Sequence, residues 1–303
     1  MLEPILNQAL ETGKAVISRG HVATYIPELG KSDPNKFGIC VFTEDGRRFE
    51  VGDTDTRFSI QSISKVISLA VALELCGFQK VFSRVGAEPS GDAFNSLIKL
   101  AGNADHPYNP MVNSGAITVC SLIYPEISFD EMLLRAREFC QDDGIVLDEK
   151  VFQSEMSTTS KNRAITYLLE SKGVITTGVE ETLEFYTKMC SLSVTAKSLA
   201  ALALLLANGG VQLPTGERLL KADTVRVVKT IMFTCGMYDG SGEFAVRVGL
   251  PSKSGVGGGL MSVVDKRMGI GLFGPSLDEK GNSIAGIEAL QYLSSHLQIH
   301  AFD

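Results

Sequence analysis

The chain has 303 residues, enough to bury a substantial core in one large domain or two lobes, and its 44% apolar and 21% charged residues are the balance of a soluble globular protein. A net charge of −7 without any basic cluster argues against nucleic acid and anionic membrane surfaces as partners. The six cysteines, at 40, 76, 120, 140, 190 and 235, show no CxxC spacing and read as core thiols, not as a disulfide frame or a metal site. The amphipathic start lacks a basic region followed by an apolar core, and no apolar run reaches bilayer length, so the expected location is cytoplasmic.

In chain order, residues 1–19 predict a helix with Ile5, Leu6, Ala9, Leu10 and Val16 on one face, stopped by Gly20. A strand over 37–43, an Asp45-Gly46 turn and a return strand over 48–51 predict a hairpin. Residues 57–77 predict one helix, apolar all round and therefore enclosed by other elements, with Gly77 as its stop. Helical periods then follow at 94–100, 115–123, 129–142, 162–171, 180–190 and 195–207, with almost no strand signal between 78 and 208, and one more helix is expected over 219–230. Residues 243–248 alternate like a strand, 260–264 and 268–273 predict a hairpin, and 284–297 a closing helix. The sheet is thus expected to draw strands from both ends of the chain around an inserted helical lobe. Residues 1–60 and 215–303 would form the sheet-containing lobe and 61–214 the helical lobe of a single domain spanning 1–303.

Ser62 and Lys65 open the enclosed helix three residues apart, a spacing that puts both side chains on one helical face. A serine hydroxyl is a poor nucleophile until a neighbour takes its proton, and a lysine does so only when burial or a nearby cation lowers its proton affinity. An S-x-x-K match alone is weak, since about one is expected by chance in a chain of this composition, and Ser96 with Lys99 makes a second. Lys253-Ser254-Gly255, the sole K-[ST]-G of the chain, adds the other signature of serine acyl-transfer enzymes. Ser62-x-x-Lys65 on an enclosed helix, a helical insertion and a late K-S-G strand together resemble the serine β-lactamase and penicillin-binding, or transpeptidase-like, fold. That is an α/β (α+β) architecture with a mainly antiparallel sheet flanked by helices. The chain has no Ser-Asp-Asn element, which turns the reading away from β-lactam chemistry.

The stretches Tyr25-Ile-Pro-Glu-Leu, Phe58-Ser-Ile-Gln-Ser-Ile-Ser-Lys-Val, Asn109-Pro-Met-Val-Asn-Ser-Gly-Ala-Ile, Leu206-Ala-Asn-Gly-Gly, Cys235-Gly-Met-Tyr, Val248-Gly-Leu-Pro-Ser-Lys-Ser-Gly-Val and Gly281-Asn-Ser closely resemble the serine-dependent glutaminase family, collinearly from about residue 20 to 298. The resemblance implies hydrolysis of L-glutamine to L-glutamate and ammonia without metal or organic cofactor, by a homo-oligomer, dimer or tetramer. It implies Ser62 as nucleophile, Lys65 as its base and Tyr238 as the group passing a proton to ammonia. It implies Val256 as the donor, through its backbone N–H beside that of Ser62, of an oxyanion hole. Glu155 would face the substrate ammonium, and Asn113, Asn162 and Tyr186 would surround the head of the amino acid, with Tyr25 a further candidate for the pocket wall. The four histidines, His21, His106, His296 and His300, match no site. Another serine hydrolase of this fold and a non-catalytic amino-acid-binding module stay as alternatives at this point.

Overall fold

The computed structural model describes residues 2–91, 96 and 105–303. The helix expected at 94–100 lies outside the described residues except for Ser96, as does Lys99 of the second S-x-x-K match. Helix α1 (Leu2–Lys14) buries Leu6, Ala9, Leu10 and Gly13, the i, i+3, i+4, i+7 set of one face, and a 3₁₀ turn at Ile17–Arg19 completes the opening segment.

The main sheet contains β1 (Gly38–Thr43), β2 (Arg48–Gly52), β6 (Ser252–Ser254), β7 (Gly259–Val264) and β8 (Met268–Phe273), in the order β2-β1-β8-β7-β6. Every neighbouring pair is antiparallel, and β1 lies against β8 from Gly38 opposite Phe273 to Thr43 opposite Met268. The first and last thirds of the chain are therefore joined by a backbone ladder. On one face, Ile39, Val41, Ile270 and Leu272 pack with Leu6 and Leu10 of α1 and with Leu290 and Leu293 of the closing helix α11 (Ile284–Leu297).

The other face of the sheet rests on α8 (Ala196–Ala207), whose sequence AKSLAALALLLA is buried almost all round. Thr195 caps it by accepting from the Ser198 N–H at 3.1 Å. Strand β8 meets this helix at backbone distance: a Cβ on Gly269 would stand 2.2 Å from the Ala200 carbonyl oxygen, and one on Gly271 2.0 Å from that of Ala196. Gly269 and Gly271 face the helix, while Ile270 and Leu272, one step out of phase, face the opposite core.

Between the two ends of the sheet the chain is mostly helical: α2 (Ser64–Phe82), α3 (Asn113–Ile123), α4 (Phe129–Cys140), α5 (Glu149–Thr158), α6 (Ser160–Ser171), α7 (Val179–Cys190) and, after α8, α9 (Ala222–Cys235). Among the described residues no helix is long and apolar enough to cross a membrane. The result is the expected α/β architecture of a mainly antiparallel sheet flanked by helices.

Several expectations need correction. Residues 57–77 are not one helix: Phe58–Ser59 form strand β3 and Gln61–Ile63 a 3₁₀ turn, while within α2 the helical geometry breaks at Gly77, the expected stop, where φ is 75° and ψ 162°, before a further helical segment reaches Phe82. The near absence of strands between 78 and 208 fails as well, because β4 (Val146–Leu147) and β5 (Leu192–Val194) join β3 in a small antiparallel sheet. Two or three residues are too few to show a period. Helix α5, started by Asp148 accepting from the N–H groups of Lys150 and Val151, went unrecognised, and α9 continues to Cys235 instead of ending at 230. Residues 243–248 belong to the short helix α10 (Ser241–Arg247) and its end. Their alternation misleads because Phe244 and Val248 are the buried pair, four apart as a helix requires, whereas Val246 is 80% exposed.

Gly271→Ala is expected to cost about 3 kcal/mol or more, because the new methyl meets helix backbone that has nowhere to go. Urea unfolding of the two proteins measures this, and an unchanged midpoint would contradict the contact between β8 and α8.

Candidate active site

The Ser62 turn is held from below by the small sheet. Phe58 pairs with Val194 and Ser59 with Ser193, and the Ile60 N–H donates to Leu192 O at 2.8 Å. Gln61 then adopts φ 48°, a left-handed conformation that costs a non-glycine residue of order 1 kcal/mol or more and persists only where neighbours over-determine it. Its side-chain amide donates to Ser59 Oγ at 2.9 Å and to Glu155 Oε2 at 3.1 Å, and its carbonyl accepts from Ser64 Oγ at 2.8 Å. Ser62 is thereby presented in the 3₁₀ turn immediately before α2, where backbone N–H groups are unpaired and point outward.

Lys65 reaches back one turn. Its ammonium donates to Ser62 Oγ at 3.0 Å and to Asn113 Oδ1 at 2.8 Å, and Asn113 Nδ2 donates in turn to Asn162 Oδ1 at 2.9 Å. Lys65 is 2% exposed. Burial draws its pKa down to about 8, although Cys190 and Glu155 pull in the other direction. Glu155 moves oppositely: burial raises its carboxyl to about 7 against the opposing effects of the Gln61 hydrogen bond and the Lys65 charge.

From the far end of the chain, the turn after β6 closes on this arrangement. A Cβ on Gly255 would be 2.7 Å from Ile60 O, and one on Gly257 2.3 Å from Ser59 O, so only glycine lets the two backbones meet on either side of Val256. Among the described residues the Val256 N–H makes no backbone hydrogen bond. Tyr238, itself left-handed at φ 55°, sends its phenol to Ser254 O at 3.2 Å and also hydrogen-bonds Ser62. Burial raises its pKa.

A cavity of about 270 Å³ opens over the serine, lined by Ser62, Asn113, Glu155, Asn162, Tyr186 and Val256, with Tyr25 at its half-exposed rim. Lys65 and Tyr238 do not line it but grip Ser62 from the side. The structure thus brings Ser62, Lys65, Asn113, Glu155, Asn162, Tyr186, Tyr238 and Val256, with Tyr25 at the rim, to one place. Sequence reasoning missed Gln61, Ile26, Thr158, Thr159 and Lys161, which share the wall. Gln61 stood inside the quoted motif, and its neighbourhood to Ser62 was the available signal. A larger, mostly apolar hollow of about 680 Å³, walled by Val225, Phe233, Pro251 and Phe302, has no serine in its wall. Among the described residues no group of three or more His, Cys, Asp or Glu side chains is placed to hold a metal ion.

This geometry agrees with what the chain is similar to. The profile of the family described as Glutaminase matches residues 20–302. Glutaminase 2 of Clostridium perfringens (strain 13 / Type A) is 47% identical over 305 aligned residues, covering 99% of this chain and all of the relative. A solved structure described as the probable glutaminase ybaS superposes with a TM-score of 0.93 at 39% identity, covering 99% of both chains. That of a probable glutaminase from Bacillus subtilis complexed with 6-diazo-5-oxo-L-norleucine superposes at 0.89 with 35% identity, covering 99% of this chain and 97% of that one.

The Glu155 carboxyl predicts a pH effect on stability. Between its ordinary 4.5 and about 7 the folded protein holds a proton that the unfolded chain has released, so stability falls as pH rises through that window. The loss is about 3 kcal/mol. Chemical denaturation from pH 4.5 to 7 should show this slope in the native sequence and a flatter one in Glu155→Gln; equal slopes would place the carboxylate in a solvated environment.

Proposed function

Because this chain belongs to the glutaminase family, we propose that it hydrolyses the side-chain amide of L-glutamine to L-glutamate and ammonia through an ester on Ser62, with Lys65 as general base. The observation that carries this reading is the 3.0 Å contact between Lys65 Nζ and Ser62 Oγ, with burial drawing the lysine pKa down to about 8. An amine so poised is neutral in a useful fraction of molecules near neutral pH.

In the first half-reaction the Ser62 hydroxyl proton passes to neutral Lys65, and Oγ bonds to the amide carbon. Charge developing on the amide oxygen faces the backbone N–H groups of Ser62 and Val256; losing one such donor costs about 3 to 4 kcal/mol of barrier. As the carbon–nitrogen bond breaks, the Tyr238 phenol gives its proton to the departing nitrogen, which leaves as ammonia. In the second half-reaction water attacks the ester, its proton returns to the Tyr238 phenolate, and the Lys65 ammonium returns its proton to Ser62 Oγ as glutamate is freed. Protons balance over the cycle.

Substrate choice is read from the wall of the cavity. Glu155 offers a carboxylate to the α-ammonium, and Asn113, Asn162 and Tyr186 offer polar atoms to the rest of the amino-acid head. Tyr25 at the rim bounds the pocket toward solvent. The six free thiols are consistent with a reducing cytoplasm. Assembly as a homo-oligomer follows the family, and light scattering on the purified protein reads the subunit number directly.

Ser62→Ala and Lys65→Ala should each reduce ammonia release from L-glutamine by at least about 10²-fold, the lower bound of positioned proton transfer. Undiminished turnover in both would reject the ester mechanism. In the native enzyme kcat/KM should climb with pH toward about 8, because the base must lose its proton before it accepts one. A profile flat from pH 6 to about 8 would remove Lys65 from that role.

A further inference from the structure

The scheme above gives Lys253, the lysine of the Lys-Ser-Gly motif, nothing to do. Yet the residue is 0% exposed, in the three-residue strand β6 that leads to Val256. Its ammonium donates to Gly236 O at 2.9 Å and to Ser254 O at 2.7 Å and sits 4.2 Å from the centroid of the Tyr238 ring. The Ser254 carbonyl is the same one that accepts the Tyr238 phenol. Among the described residues none of its ion pairs or hydrogen bonds is with a carboxylate. A buried amine served only by two carbonyls and a ring face is a poor way to stabilise a fold, since an apolar chain of similar length avoids the desolvation.

We propose that Lys253 is a positioning residue for Tyr238, clamping the carbonyls on either side of the tyrosine and keeping positive charge under its ring while the phenol is ionised between the two half-reactions. The proposal rests on the Ser62 ester reading. It adds no proton step: the phenol O–H bond breaks as the N–H bond of ammonia forms, the attacking water restores it, and Lys253 keeps its own proton throughout.

The neighbours of Lys253 leave Tyr238 as the anion it can serve. Around it stand Lys65 of α2, Cys190 of α7, Cys235 at the end of α9 and Tyr238 itself. Burial pushes the Cys190 thiol up to about 12 and raises that of Cys235, so both stay protonated. Burial first, then the Lys65 charge, weakens the hold of Lys253 on its proton, and a phenolate on the ring whose centroid lies 4.2 Å away would favour the charged amine.

A double-mutant cycle tests this, with kcat and KM for L-glutamine measured on Lys253→Gln, Tyr238→Phe and the double variant, and folding checked by circular dichroism. Lys253→Gln keeps a donor but loses the charge. We expect it to lower kcat by about 10²-fold with KM within about threefold, and to cost less than about threefold more in the Tyr238→Phe background. Equal losses in both backgrounds, or a kcat within about threefold of the native enzyme, overturn the proposal. If Lys253→Gln does not fold, the same cycle with Lys253→Arg, which keeps the charge but displaces it from the ring, decides by the same criterion. Full turnover by Tyr238→Phe alone would instead overturn the proton path through tyrosine, so the two failures read differently.

Discussion

The site depends on keeping the Lys65 amine dry without giving it a carboxylate. Moving an ammonium out of water costs several kcal/mol, and a salt bridge would repay part of that while locking the proton in place. Lys65 instead meets two neutral oxygens, Ser62 Oγ and Asn113 Oδ1. The nearest relevant acid, Glu155, has one oxygen taken by the Gln61 amide. Burial then moves the two groups toward each other in proton affinity, Lys65 down to about 8 and Glu155 up to about 7 against the Gln61 hydrogen bond. A lysine paired directly with Glu155 would stay charged and be useless as a base.

Holding that arrangement is a problem of joining distant parts of the chain. Ser62 stands in the turn just before α2 and Lys65 in the first turn of that helix, whereas Tyr238, Lys253 and Val256 arrive near the end of the chain. Helix α8 is the tie: the residues just before it form β5, which pairs with β3 beneath the Ser62 turn, and its body carries β8 of the main sheet. Because Gly269 and Gly271 let β8 touch helix backbone, the sheet cannot slide on α8 without a steric clash. The turn after β6 is in this way carried to the Ser62 turn by packing that contains no catalytic group. Gly255 and Gly257 complete the approach at the last contact.

How much of this was legible in the sequence follows from what each signal measures. Long periods were readable: α1, α8, α11 and the strands β1, β7 and β8 lie close to where the apolar spacing put them. Short elements were not, since β3, β4 and β5 have two or three residues each and owe their strand state to one another. Phe244, Val246 and Val248 satisfied a strand pattern and a helix pattern at once, and only packing against the core chose between them. Of the site, Ser62, Lys65 and the Lys-Ser-Gly motif gave the chemistry by residue type and spacing, while Glu155, Asn162 and Tyr186 rested on likeness to a family. The convergence of Gln61 on Glu155 and of Lys253 on Tyr238 is a tertiary fact with no local trace.

Of the five non-glycine residues at positive φ among the described residues, two stand where these segments deliver side chains to the serine. Gln61 and Tyr238 are both left-handed without being glycine, one just before Ser62 and one at the turn that brings the phenol to it. Each is over-determined by its own hydrogen bonds. Gln61 is tied to Ser59, Ser64 and Glu155, while beside Tyr238 the Ser241 hydroxyl accepts the Met237 N–H at 3.0 Å and donates to the Tyr238 carbonyl at 2.8 Å. A relaxed conformation at either position would swing a side chain off Ser62 while leaving the sheet and helices intact. Strain of order 1 kcal/mol per residue is small against the roughly 10²- to 10⁴-fold that positioned proton transfer contributes in the proposed mechanism, which gives these two turns a physical reason to stay strained.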